Sequence, residues 1–135
     1  MLFGQEHVDA YRETDGEAGH EWRPGVLTLL LTTTGRRSGE PVTTPLIYGR
    51  DGDDYVVIAS KGGADTHPDW YLNLQEHPEV EIQVGPAVMP ATARTADPGD
   101  AQRLWPMMAE IWPDYDEYAA KTDRDIPVVT LTPRT

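Results

Sequence analysis

Hydrophobic and polar positions along the chain follow a strand period in most segments. Val26–Thr34 is a run of aliphatic and β-branched residues, too short for a typical helix, and it predicts a buried strand. Apolar residues that run on or alternate predict further strands at 42–48, 55–60, 80–84, 87–96 and 126–132. Because short polar or glycine-containing loops join the first three strands, we expect them to form an antiparallel meander.

Other segments follow a helical period. Residues 69–76 come after a proline and begin with an acidic residue, both typical of a helix start. Residues 97–112 repeat apolar positions at 3.6-residue spacing, which predicts a helix with a kink or restart at Pro106. A short helix carrying Tyr115 and Tyr118 is expected to follow.

This order of elements predicts a mainly β fold with inserted helices, of the α+β class. Consecutive strands joined by short loops pair antiparallel, which favours a closed or partly open β-barrel over a βαβ fold. The 135 residues suit one domain. We expect a partly helical N-terminal extension over 1–23 and a barrel core with helices over 24–132.

The distribution of charge changes this picture by pointing to one region. The formal net charge of −12, from 23 acidic and 11 basic residues, argues against a basic footprint for nucleic acid or an anionic membrane. Residues 32–63 are the one long stretch in which acidic and basic residues balance, and they contain the adjacent Arg36 and Arg37. On charge alone, this stretch fits an ordinary surface hairpin or a local anion site.

Composition indicates the compartment. The chain has no cysteine, which excludes disulfides, thiolate nucleophiles and thiolate-bound metals. No run approaches the ~18 apolar residues of a membrane span. The N-terminus lacks the basic region and apolar stretch of a signal peptide. We therefore expect a cytoplasmic protein without an integral membrane segment.

Two glycine-rich loops carry the candidate chemistry. Loop 35–39 contains two arginines and a serine, and loop 60–63 contains a serine and a lysine. The predicted hairpin pairing places both loops at the same end, where they face one anion, and the helix start near residue 69 adds N–H donors. The histidines are not at metal-ligand spacing, so no metal site is expected.

The succession of these loops resembles the deazaflavin-dependent nitroreductase family of actinobacteria. The matching segments are 31–39, 45–48, 59–63, 67–74, 78–80 and 122–129. The resemblance implies a split β-barrel of the flavin-reductase-like type that binds coenzyme F-420, an 8-hydroxy-5-deazaflavin with a phospholactyl and polyglutamate tail. It also implies hydride transfer from the reduced coenzyme to a quinone, enone or nitroaromatic.

The same resemblance implies the site residues. Positions matching the phosphate and tail contacts are Arg36, Arg37, Ser38 and Lys61. Positions beside the deazaflavin ring are Thr43, Thr44, Pro45, Leu46, Ile47, Ile58, Ala59 and Ser60. The helix start that closes over the cofactor is Asp69, Trp70, Tyr71, Leu72 and Asn73. Tyr115 matches an aromatic residue near the ring and the acceptor, and Tyr118 matches a neighbouring pocket residue. Ser60, Tyr115 and Tyr118 are the catalytic candidates, as hydroxyl groups near the acceptor.

Two positions depart from the family pattern. Val42 stands where relatives can carry a basic residue, so we expect one tail contact to be lost. Trp112 stands where a tyrosine lines the acceptor pocket of the nitroimidazole-reducing member, so activity on that type of compound is not implied.

Two alternatives remain at this point. An FMN-dependent oxidoreductase of the same barrel type would need fewer cations, because FMN has a phosphate but no polyglutamate tail. A non-catalytic deazaflavin carrier or ligand binder would bind without acceptor-dependent oxidation. We expect a small-molecule hydride acceptor, no nucleic acid, and a monomer or homodimer. Peripheral membrane contact through the N-terminal segment is compatible with the resemblance but unsupported by that segment's acidic charge.

Overall fold

The computed structural model describes residues 2–134, which form a curled antiparallel sheet with four α-helices. In chain order the elements are α1 (Gly4–Glu13), β1 (Glu21–Arg23), β2 (Val26–Thr34), β3 (Pro41–Ile47), β4 (Gly49–Asp51), β5 (Asp54–Ile58), a 3-10 turn (Lys61–Gly63), α2 (Asp69–Glu76), β6 (Glu79–Val84), β7 (Ala87–Thr95), α3 (Pro98–Ile111), α4 (Asp114–Lys121) and β8 (Val128–Pro133). The strand expected at 26–34 and the helix expected at 69–76 are confirmed, and α3 is one helix that includes Pro106.

The sheet curls round on itself through the segment 41–51. Its order is β1-β2-β6-β7-β8-β5-β4, and β3 pairs with β2. Since β3 and β4 follow one another in the chain, this segment pairs with β2 by its first half and with β5 by its second. The prediction of a split β-barrel with inserted helices is confirmed.

The expected three-stranded meander is wrong in one pairing. β3 pairs with β2, but β5 pairs with β4 and β8 rather than with β3. The chain leaves β2 at Tyr48, a buried residue whose N–H donates to the carbonyl of Leu27 at 3.0 Å. α3 packs directly on the next residue, where a Cβ at Gly49 would lie 2.7 Å from the Sδ of Met108. The segment 41–51 therefore divides at Tyr48 into β3 and β4. With β1 and β4, the sheet has more strands than the six expected from the sequence.

β5 separates two apolar cores because its side chains alternate between its two faces. Tyr55 and Val57 point into the barrel, where they pack with residues such as Leu29 and Leu131. Val56 and Ile58 point outward and pack under α3 and α4. The open end of this second core lies beside β3 and the start of α2, which is where the candidate site forms.

Tyr11 attaches α1 to the barrel. Its side chain is fully buried, and its hydroxyl lies 3.0 Å from the carbonyl of Thr28 and 3.3 Å from that of Gln83. The hydroxyl also accepts the N–H of Gly85 at 2.7 Å. Burial raises the pKa of Tyr11 to about 12. These contacts hold the N-terminal segment against the barrel, with its first residues beside the candidate site.

Candidate functional site

An apolar cavity of about 470 Å³ opens between the barrel and the helices. Residues of β3 and of the loop after β5 line it, together with the first turn of α2 and aromatic side chains from the α3–α4 region. It brings together many of the residues expected from the sequence, namely Thr44, Pro45, Leu46, Ile47, Ile58, Ser60, Lys61, Trp70, Tyr115 and Tyr118. Trp112, the position that departs from the family pattern, also lines it.

A separate polar groove of about 300 Å³ lies at the 35–39 loop. Its lining residues are Gly35, Arg36, Arg37, Ser38, Val42, Asp69 and Asn73. Two arginines, a hydroxyl and a buried amide thus surround one small opening, which is the donor chemistry that phosphate and carboxylate groups need. Val42 is exposed in this groove, so a basic residue there would add another cation to the same opening.

The two arginines of the groove have different surroundings. Arg36 donates to Oδ1 of Asn73 from both its backbone N–H (3.1 Å) and its Nη1 (2.9 Å), and its Nη2 lies 3.3 Å from Oδ1 of Asp69. Arg37 is exposed, and its side chain forms no hydrogen bond or ion pair with another residue of 2–134. Arg36 therefore fixes the loop against α2, while Arg37 remains available to an incoming anion.

Ser38 shapes the turn that presents these arginines. Its Oγ accepts the N–H of Glu40 at 3.1 Å, and it occupies the space beside Gly35, where a Cβ would come within 2.5 Å of that oxygen. The N–H of Gly35 donates to the carbonyl of Glu40 at 2.8 Å and closes the turn. A side chain at position 35 would therefore displace Ser38 and distort the turn.

The groove and the cavity lie next to each other along β3 and the first turn of α2. On β3, Val42 lines the groove and Thr44 lines the cavity. On α2, Asp69 lines the groove and Trp70 the cavity. Lys61 lies on the cavity side rather than in the groove, so the two cationic loops flank the start of α2 instead of facing each other directly. A ligand with a flat apolar ring and an anionic tail fits this arrangement.

The loop after β5 carries Ser60 in an ordinary helical conformation and Lys61 in a strained one. Lys61 has a φ of +47°, and Gly62 and Gly63 also have positive φ. Non-glycine residues rarely adopt this region, and such strain is concentrated at functional sites. Gly63 lies directly on α4, where a Cβ would come within 2.7 Å of the carbonyl oxygen of Tyr118. The Nζ of Lys61 bonds the hydroxyl of Thr66 at 3.0 Å, at the mouth of the cavity.

Tyr115 and Tyr118 place two phenol rings on the same wall. Their ring centroids are 6.2 Å apart. Tyr115 is 5% exposed, and its burial, with a smaller contribution from Tyr118, raises its pKa well above the ordinary value of a phenol. The Tyr115 hydroxyl is therefore protonated at neutral pH and can donate a hydrogen bond.

Four of the expected cofactor residues do not line either opening. Thr43 bonds the hydroxyl of Thr32, and Ala59 is fully buried. The hydroxyl of Tyr71 lies 2.8 Å from Oγ1 of Thr95, on the other side of α2, and Leu72 lines neither opening. The family resemblance therefore did not distinguish the residues that line the two openings from neighbouring residues in the same segments.

The N-terminal segment supplies part of the cavity, which the sequence did not predict. Its lining residues there are Leu2, Phe3, Gly4, His7 and Trp22. Phe3 packs edge-on against Trp22, with ring centroids 5.7 Å apart, and Trp22 lies 5.5 Å from Trp112. The sequence signal that could have indicated this lining is the presence of Phe3 and Trp22 in a mainly polar segment.

A larger depression of about 830 Å³ lies on the far side of α2, beside α3 and α4. It is more open and carries Trp105 and Arg124, both of which already bond other residues. Among residues 2–134, no group of three or more histidine, aspartate or glutamate side chains is arranged to hold a metal ion. Nor is any helix in that range long and apolar enough to cross a membrane.

The family model described as F420H(2)-dependent quinone reductase matches residues 3–133. The chain belongs to this family. Its membership confirms the resemblance seen in the sequence, and it identifies the protein as an oxidoreductase that depends on coenzyme F-420. The adjacent apolar cavity and cationic groove fit that cofactor, which joins a flat ring system to an anionic tail.

Known members are similar along most of their length. The F420H(2)-dependent quinone reductase Rv1261c of Mycobacterium tuberculosis is 45% identical over 131 residues, which cover 95% of this chain and 88% of that one. A solved F420-H2 dependent reductase (FDR-A) is 40% identical, with a TM-score of 0.71 over 77% of this chain and 92% of that one. A second solved structure, described as a domain-swapped dimer, is 37% identical with a TM-score of 0.74, over 92% and 98% of the two chains.

Proposed function

We propose that this chain reduces a quinone inside the 470 Å³ cavity, with coenzyme F-420 held across the cavity and the groove. The observation that carries the proposal is that the two openings lie next to each other along β3 and the first turn of α2. When bound, the reduced coenzyme supplies a hydride from carbon 5 of its ring.

The groove supports binding of the tail. Arg37 is the exposed cation, and Arg36 and Ser38 fix the turn that presents it. Charge-assisted contacts of arginine with phosphate or carboxylate are among the stronger polar contacts in proteins. This groove favours a tailed deazaflavin over FMN, because a ring and one phosphate would leave much of it unused.

The cavity supports stacking of the ring and the acceptor. Trp70, Ile58 and Pro45 supply flat or branched apolar surface, and Trp112 supplies the opposite aromatic wall. Holding both reactants in one apolar space raises the fraction of reactive encounters and excludes water. The residues Phe3 and Trp22 complete the enclosure on the N-terminal side.

Hydroxyl groups in the cavity support stabilisation of the acceptor. A quinone that gains a hydride bears negative charge on an oxygen and needs one proton to become a hydroquinone. Ser60 and the protonated Tyr115 are the donors that we assign to that oxygen, and Tyr118 is their neighbour. The proton comes from water, because the raised pKa of Tyr115 makes its hydroxyl a hydrogen-bond donor rather than an acid.

We propose a quinone rather than a nitroimidazole as the acceptor. The wall position that bears tyrosine in the nitroimidazole-reducing relative is Trp112 here, packed against Trp22. This preference is tested by comparing the anaerobic rates at which the reduced coenzyme is oxidised by a quinone, an enone or a nitroimidazole. We expect the quinone to be reduced fastest. Binding of the coenzyme without its oxidation by any of the three acceptors would leave a non-catalytic binder.

We further propose a cytoplasmic homodimer. The absence of cysteine fits a reducing compartment, and a 37% identical structure is described as a domain-swapped dimer. Light scattering on the purified protein measures the mass directly. Cell fractionation with an antibody to the chain tests the compartment.

A further inference from the structure

Arg124, in the segment between α4 and β8, reaches back to the loop that follows β5. Its Nε donates to the carbonyl of Ala64 at 2.9 Å and its Nη2 to that of Ser60 at 2.8 Å. Its Nη1 donates to the carbonyl of Ala59 at 3.2 Å. One guanidinium thus bonds three carbonyls of a short loop that carries two of the candidate site residues.

His67 completes the set of partners. Its Nδ1 lies 2.9 Å from Nη1 of Arg124. Because a guanidinium can only donate, Nδ1 must accept, and the ring is neutral with its proton on Nε2. Burial, and then the charge of Arg124, lowers the pKa of His67, consistent with this tautomer. This hydrogen bond to His67 therefore connects Arg124 to the C-terminal end of the loop as well.

The loop needs such a support because Lys61, a residue with a Cβ, adopts a left-handed conformation. Three consecutive residues, Lys61, Gly62 and Gly63, have positive φ angles of 47°, 62° and 83°. Within the loop, the N–H of Gly63 bonds the carbonyl of Ser60, and the N–H of Ala64 bonds that of Lys61. The outward carbonyls at its two ends are taken by Arg124, so the strained turn is held between that guanidinium and the backbone of α4.

We propose that Arg124 is a positioning residue that fixes Ser60 and Lys61 at the mouth of the cavity. This inference rests on the proposed function, because it concerns a loop at the proposed cofactor site. The order of the loop itself can be measured without cofactor. A lysine at position 124 keeps the charge but presents a single ammonium group, which cannot span carbonyls at both ends of the loop. Arg124→Lys should therefore leave the loop less well ordered than in the native protein.

The test combines amide hydrogen exchange of the loop with a double-mutant cycle. In the protein without cofactor, Arg124→Lys should speed exchange of the 59–67 amides about tenfold or more. In a fluorescence titration with coenzyme F-420, Arg124→Lys should raise Kd about tenfold, the scale of one charge-assisted contact. Lys61→Ala should raise Kd clearly in the native background and much less in Arg124→Lys, because the ammonium is already misplaced there.

Arg103→Lys is the matched control. Arg103 bonds Asp51 at 2.9 Å and Asp100 at 3.3 Å on the surface and lines neither the cavity nor the groove. We expect it to leave loop exchange and Kd unchanged. Equal effects of Lys61→Ala in both backgrounds, or unchanged loop exchange in Arg124→Lys, would overturn the inference. If the native protein does not bind coenzyme F-420, the proposed function fails and the exchange result alone decides the role of Arg124.

Discussion

At the scale of residues, Arg36 and Arg37 show how neighbours in sequence acquire different tasks. Arg36 donates hydrogen bonds to Asn73 and Asp69, so its replacement removes contacts within the protein. Arg37 is exposed at the groove and bonds no other described residue. The sequence predicted both as cationic contacts, but only the fold distinguishes their surroundings.

For this pair we predict separable effects. Arg37→Ala should weaken binding of coenzyme F-420 about tenfold, because one charge-assisted contact is worth ~1.5–3 kcal/mol, and should leave the free energy of unfolding unchanged. Arg36→Ala should lower both affinity and stability. The loss in Arg37→Ala should be larger at low salt. Titration and urea unfolding measure the two quantities, with the exposed Arg94→Ala as control. Unchanged affinity in Arg37→Ala would remove the anion assignment.

Tyr115→Phe tests the hydroxyl donor. The phenyl ring keeps the apolar wall, so Kd for the coenzyme should stay within about twofold, while kcat should fall about tenfold or more if the hydroxyl stabilises charge on the acceptor. Since burial raises the pKa of Tyr115 well above its ordinary value, its deprotonation should not limit kcat below about pH 10. Single-turnover kinetics at several pH values would measure this. Equal losses in Kd and kcat would make the residue a packing element.

Tyr11 gives a pH dependence of stability with a definite sign. The folded protein holds the phenolic proton more tightly, since the pKa is raised from 10.0 to about 12. Its contribution is therefore fully present below the unfolded pKa and is lost as pH rises from 10.0 towards about 12. Tyr11→Phe should be less stable near neutral pH and should decline less in that window. Urea unfolding at stepped pH would show this, and parallel curves for the two proteins would count against it.

At the scale of elements, the turn after β5 is set by its contact with α4. Gly63→Ala would place a Cβ within 2.7 Å of the Tyr118 carbonyl, whereas a Cβ at Gly62 meets nothing within 4 Å. Both glycines have positive φ, so both alanine variants carry a similar backbone cost of ~1–2 kcal/mol. Gly63→Ala should therefore lower Tm further and weaken coenzyme binding, and Gly62→Ala should show the backbone cost alone. Matching Tm and Kd values would mean that the contact does not position the turn.

The local patterns of the sequence determine most elements but not their neighbours. The aliphatic run of β2 and the proline before α2 marked those elements correctly, because each signal lies within the element. The break at Tyr48 depends on the packing of α3 against Gly49, which lies far from α3 in the chain. The sequence therefore placed β4 in a turn and predicted the wrong partner for β5. The same limit hid Arg124, whose partners lie about 60 residues earlier.

At the scale of the whole molecule, the site is assembled from both ends of the chain. The family resemblance located the groove and most of the cavity, because those residues lie in short loops of recognisable order. It did not locate Phe3 and Trp22, which reach the cavity because Tyr11 holds α1 against the barrel and β1 pairs with β2. A protein with a net charge of −12 thus keeps a small cationic groove where β3 and α2 meet.

The most direct test of this account is a comparison of two ligands. The tryptophan fluorescence of the native protein is titrated with coenzyme F-420 and with the same deazaflavin lacking its phospholactyl and glutamate tail, and both titrations are repeated with Arg37→Ala. Trp70 and Trp112 line the cavity and report the ring in either case. We expect the tailed coenzyme to bind about tenfold tighter or better, and Arg37→Ala to remove most of this advantage. Equal affinity for the two ligands in the native protein would contradict the proposal that one coenzyme occupies both the groove and the cavity.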